Sequence, residues 1–88
     1  MLYQVISMRI ENNIFETDVT IRTFDSFNEA KKFFEEEKID SYDSLSENSD
    51  NIEILNDDKN LYCIYDEDNE IINKIALIKI QNGTIHRI

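Results

Sequence analysis

The sequence predicts an α+β fold: an antiparallel sheet of about five strands, in the order β-β-α-loop-β-β-β, with one helix packed on one face. Three observations lead there. Two stretches of period-two alternation flank an Asn pair near the start, a single capped amphipathic segment follows, and the second half consists of apolar runs separated by turn clusters. At 88 residues there is room for one domain and one core.

The opening reads as a hairpin. Leu2, Ile6, Met8 and Ile10 recur at every second residue, interrupted only by Gln4, and Phe15, Thr17, Val19, Ile21 and Thr23 do the same after Asn12-Asn13. Such alternation marks half-buried strands. Two Asn residues both tolerate the positive φ of a type I′ turn. A two-residue loop at 12–13 would set Ile10 opposite Phe15, Met8 opposite Thr17, Ile6 opposite Val19 and Arg9 opposite Glu16. Next, Ser26-Phe27-Asn28-Glu29 has the form of a capping box, which starts a helix. Phe27, Ala30, Phe33 and Phe34 then form a stripe expected to lie on the hairpin's apolar face, with Lys31, Lys32, Glu35 and Glu36 towards solvent.

The chain divides into hairpin plus helix (1–39), an acidic mobile loop (40–51) that could hold a short, poorly anchored helix around Tyr42–Glu47, and a strand meander (52–88). Segment 40–51 holds four Ser and few apolar groups, which favours a loop. In the meander, Ile52–Leu55, Leu61–Tyr65 and Ile71–Gln81 are the apolar runs. Asn56–Asn60 and Asp66–Asn69 are the turns between them. Asn82-Gly83 is a strong hairpin signal that folds Thr84–Ile88 back as a sixth short strand.

Charge is the most unusual property. Nineteen acidic residues stand against nine basic ones, a net charge of −10. Residues 1–34 carry a net −1, residues 35–70 a net −12, and residues 71–88 a net +3. Such a charge repels nucleic acid and anionic membranes and favours a basic protein partner. No stretch approaches a membrane span, and Met1–Val5 lacks the features of a signal peptide. A lone cysteine, Cys63, fits a reducing cytoplasm.

Chemistry-bearing motifs are scarce, and no enzyme is expected. His86, the only histidine, has no nucleophile beside it in any recognisable motif, and reads as a side chain on a terminal strand. Cys63 reads as a small hydrophobe in an apolar strand. One His and one Cys do not make a zinc site of the usual type. A calcium loop starting at Asp66 would need Gly and Glu where Ile71 and Leu77 stand, so an acidic turn is the simpler reading. A single glycine excludes a Gly-rich phosphate loop. No cofactor and no metal are expected.

The acidic segment is what remains, either as a solubilising surface or as a docking surface. Its contact candidates on the helix end and loop are Glu35, Glu36, Glu37, Asp40, Asp43, Glu47 and Asp50. Those in the turns are Asp57, Asp58, Asp66, Glu67 and Asp68. Tyr42 is the amphipathic anchor among them, while Tyr62 and Tyr65 fit ordinary sheet packing.

Two phrases carry a wider likeness: the strand-cap-helix run from Thr23 to Phe33 and the strand-turn-strand run from Tyr62 to Ile71. In these the chain resembles the small acidic α+β proteins of phages and mobile elements, among them anti-CRISPR proteins and other DNA-mimicking inhibitors. The resemblance implies a stoichiometric inhibitor in the host bacterial cytoplasm that blocks a basic nucleic-acid-binding site on a nuclease or surveillance complex. A second expectation comes from the run Ile71–Ile80, apolar on both faces beyond what one helix can cover. It suggests a scaffold or oligomerisation module, a homodimer pairing edge to edge through its last strands.

Overall fold

The computed structural model describes residues 1–12 and 16–87. Its elements are β1 (Leu2–Glu11), β2 (Glu16–Phe24), α1 (Phe27–Ser46), β3 (Ile52–Asp57), β4 (Leu61–Asp66), β5 (Ile71–Gln81) and β6 (Thr84–Arg87). The strands form one antiparallel sheet in the order β2-β1-β5-β4-β3, with β6 continuing along β5 where β4 stops. The expected α+β architecture is present, and so is the sixth strand. Asn82 and Gly83 have φ of 54° and 76°, as a type I′ turn requires.

The first hairpin has a different register from the one that the Asn pair suggests. Ile10 faces Thr17, Met8 faces Val19, Ile6 faces Ile21 and Arg9 faces Asp18. The proposed partner Phe15 lies outside the described residues. At the end of β1 the Asn12 N–H donates to the Glu70 carbonyl at 3.0 Å, extending the β1–β5 ladder by one bond. The shift is even, so each side chain keeps the face that alternation assigns to it.

The helix lies on the other side of the sheet from the one expected. Val5, Tyr62, Ile64, Ile71, Ile75 and Leu77 form the core with Ala30, Phe34 and Leu45 of α1. Ser7 and Asn73, also on this side, reach α1 through hydrogen bonds to Glu37 (3.5 Å) and Ser41 (2.9 Å). Two aromatic contacts, Tyr3–Phe27 and Phe24–Phe33, both 5.5 Å between centroids, hold the first turns of the helix. The hairpin's apolar residues Ile6, Met8, Val19 and Ile21 therefore face away from the helix.

Helix α1 also runs through most of the segment expected to be a mobile loop. It begins at Ser26, whose Oγ accepts from the Glu29 N–H at 3.4 Å, and continues to Ser46. Leu45, only 2 % exposed, anchors the last turn in the core, and Ser41 is tied to β5 through Asn73. Burial of one well-placed Leu outweighs the weak helix propensity of Ser, Asp and Tyr here.

Candidate functional site

Helical spacing sorts the acidic residues of α1. Glu36, Asp40, Asp43 and Glu47 are separated by four, three and four residues, which places them along one line opposite the buried Phe34. All four are exposed. At 1.5 Å per residue this crest carries four carboxylates over about 16 Å. No basic side chain occupies the last turn, so the crest also opposes the helix dipole. Like charges at these spacings cost helix stability, and nothing in the core requires them.

The crest runs into a second acidic group at the helix C-terminal end. The loop after α1 is fastened to the β4–β5 turn: Ser49 Oγ donates to Asp68 Oδ2 at 2.9 Å, Asn51 Nδ2 to Asp68 Oδ1 at 2.7 Å, and the Glu67 N–H to the Asn51 carbonyl at 3.0 Å. These bonds bring Asp50, Glu67 and Asp68 beside the end of the crest. Donors from Asn51 and Ser49 hold the Asp68 carboxyl below the usual range.

Asp66 does not belong to this surface, although the sequence reading includes it. It is fully buried, and its carboxylate accepts from the Asn69 N–H at 3.2 Å and from Asn69 Nδ2 at 2.8 Å. Burial pushes its carboxyl up, but the side-chain amide of Asn69 and the Asn69 and Asp68 backbone donors outweigh that and hold it low. Asp66 shapes the turn and reaches no partner.

Glu35 and Asp57 are partly spoken for as well. Lys38 Nζ sits 2.6 Å from Asp57 Oδ1 and 3.5 Å from Glu35 Oε2, and lies over the rings of Phe34 and Tyr62 at 5.6 and 5.2 Å. Burial draws the ammonium pKa down, but the hydrogen bond to Asp57 and the two carboxylates outweigh it and raise the value. Lys38 thus clamps the helix to the end of β3. Asp58, in the turn after β3, stays exposed. Glu37 turns inward to Ser7.

Tyr42, 42 % exposed, lines a shallow groove with Ile39, Ile54 and Lys38 next to the crest, which suits an amphipathic anchor. Tyr62 is core. A second cleft of about 320 Å³ lies between α1 and the sheet, lined by Ser7, Arg9, Glu37, Ser41 and Asn73 among others. Asn73 Oδ1 is buried there with no protein partner, and the cleft has room for a water to reach it. Among the described residues no three His, Cys, Asp or Glu side chains gather as a metal site. No described helix is long and apolar enough to cross a membrane.

Sequence reasoning missed two features. The Ser49–Asn51–Asp68–Asn69 network gave no signal beyond a Ser/Asn/Asp-rich composition. The Lys38 clamp joins residues that only the fold brings together. No protein-family model, curated protein or solved structure matches the chain.

Proposed function

We propose that this protein is an acidic binding module, not an enzyme, that occupies a basic nucleic-acid-binding site on a partner protein as a stoichiometric, DNA-mimicking inhibitor. The observation that carries the reading is the crest of Glu36, Asp40, Asp43 and Glu47, continued by Asp50, Glu67 and Asp68. Four charges over about 16 Å stand about 5 Å apart, sparser than the roughly 3.4 Å of one strand of duplex DNA, and Asp50, Glu67 and Asp68 add to the row. A groove built for phosphates meets a row of negative charge held on a helix. Encounter is steered by the field and weakens with salt. Tyr42 and Ile39 supply apolar contact beside the charge. A nuclease or a nucleic-acid-guided surveillance complex is the class of partner such a surface fits.

The test is affinity capture from bacterial lysate at low and high salt, followed by duplex-DNA competition on the captured protein. The account expects salt-sensitive capture of a nucleic-acid-binding protein, lost on mutating the crest to Gln and Asn and reversed by DNA. Capture that ignores both salt and the crest variant would mean that the charge only keeps the protein in solution.

A further inference from the structure

The face of the sheet away from α1 is largely apolar and carries no helix. Its central residues, Ile6, Met8, Ile72 and Ala76 among them, are half-buried and Cys63 is buried, while Leu2, Val19 and Ile21 are exposed. The register aligns its side chains in rows across the strands: Leu61, Ala76, Ile6 and Ile21 form one, and Cys63, Lys74, Met8 and Val19 the next. Ile10 with Ile72 and Leu2 with Ile80 continue it to either end. Val19 and Ile21 are 52 % and 58 % exposed. Gln4, Thr17, Thr23 and Lys74 interrupt the face, but the apolar side chains from Leu61 and Ala76 through Ile6 to Ile21 adjoin one another, and an apolar patch of this kind marks a contact surface.

The charge of this face is as telling as its hydrophobicity. Across β1 to β5 it carries one acid, Glu53, and one base, Lys74, in a chain of net charge −10, and Arg87 of β6 holds the register position beside Ile78. The acids are almost wholly on the helix side and in the turns. A charged partner finds nothing here to read, and an anionic membrane is repelled by the rest of the molecule. A second copy of the chain fits: it offers the same neutral apolar rows, and stacking leaves both acidic crests on the outside. Two stacked sheets lie about 10 Å apart. Both crests are then separated by two sheets, beyond a Debye length of about 8 Å, so their repulsion is screened.

The area is sufficient. The molecule measures 41 × 23 × 17 Å, and its strands rise about 3.3 Å per residue and lie about 4.8 Å apart. The open face then offers roughly 700 Å² per partner after discounting the turns, near the standard size of a stable interface.

We infer that this protein forms a symmetric homodimer by face-to-face packing of its helix-free sheet surfaces, giving a helix–sheet–sheet–helix sandwich with an acidic crest on each outer side. This arrangement differs from edge-to-edge pairing of the last strands, for which β5, paired on both sides, has no free edge and only the short β6 offers one. It holds whether or not the crest binds a nucleic-acid site.

Sedimentation velocity of the full chain tests it. The expected result is a species of twice the 10.5 kDa chain mass, unaffected or strengthened by added salt. The double variant Met8→Glu/Ile21→Glu sediments as a folded monomer. Should that variant fail to fold, Val19→Thr/Ile21→Thr, at two exposed β-favouring positions, weakens the dimer by about tenfold or more. A wild-type monomer at on the order of 100 μM overturns the proposal. So does a dimer that survives both variants but dissociates on Ile54→Lys at the β3 edge.

Discussion

The two faces of this sheet are built from the same residue types and end in opposite circumstances. On one side Val5, Ile64, Ile75 and Leu77 lie under α1 and are almost wholly buried. On the other, Ile6, Met8, Ile72 and Ile78 alternate with them along the same strands and have only one another as cover. The charge divides the opposite way, with the acids gathered on the helix's outer crest and in the turns. One face therefore maintains the fold, while the other has apolar surface to spare. The difference teaches that hydrophobic alternation alone does not say which side of a strand becomes core: here the single helix settles it.

The largest expected effect separates the faces by stability. Phe34→Ala opens a cavity in the helix-side core and costs about 3–5 kcal/mol, enough to unfold much of so small a domain. Ile21→Thr on the open face changes the chain's unfolding free energy by about 0.5 kcal/mol or less at concentrations where the protein is monomeric. Urea denaturation of both variants measures the contrast, and equal losses would erase the distinction between core and open surface.

Asp66 comes next. Asp66→Ala removes the acceptor of two hydrogen bonds within a buried turn and costs about 1–3 kcal/mol. The pH dependence has a definite sign. Because the folded carboxyl is held below its unfolded value, near 3.9, its stabilisation is complete above that value. It is lost as pH falls from there through the lower folded pKa. Asp66→Asn should flatten the acid limb of a stability–pH curve in that window, and an unchanged limb would remove Asp66 from the account of the turn.

The crest and the last turn give smaller shifts. Neutralising Glu36, Asp40, Asp43 and Glu47 to Gln and Asn relieves like-charge repulsion and raises stability by a few tenths of a kcal/mol, about 0.2–0.5 per pair. Thermal melts at low salt would show it. A crest kept at a cost to stability is what a binding surface implies; a melt that falls instead would give the crest a structural role. Gly83→Ala strains only the φ of 76°, since an added Cβ meets nothing within 4 Å, and costs about 1 kcal/mol confined to the peripheral β5–β6 hairpin.

Much of the fold is legible in the chain. The alternation of β1 and β2, the Ser26 cap and the Asn82-Gly83 turn are local signals, and each appears where its residues place it. What is not legible depends on distant partners. The end of β1 is tied through the Asn12 N–H to the Glu70 carbonyl, 58 positions away in sequence. The side taken by α1 follows from Tyr62, Ile64, Ile75 and Leu77 meeting Phe34, which no local pattern of β1 reveals. Helix α1 outlasts its weak propensity through Leu45. Among the site residues, the four-three-four spacing of the crest was readable once the helix was known to continue. The burial of Asp66 and the Lys38 clamp were not, since both depend on contacts made only in the folded state.

The most direct measurement is the salt dependence of partner binding by two proteins, the wild type and the crest variant with Gln and Asn at Glu36, Asp40, Asp43 and Glu47. The account predicts wild-type affinity that falls steeply as salt rises from about 50 to 200 mM, and a variant that is weaker and nearly salt-independent. Parallel salt curves of equal affinity would contradict it, leaving the acidic crest as solvated surface alone.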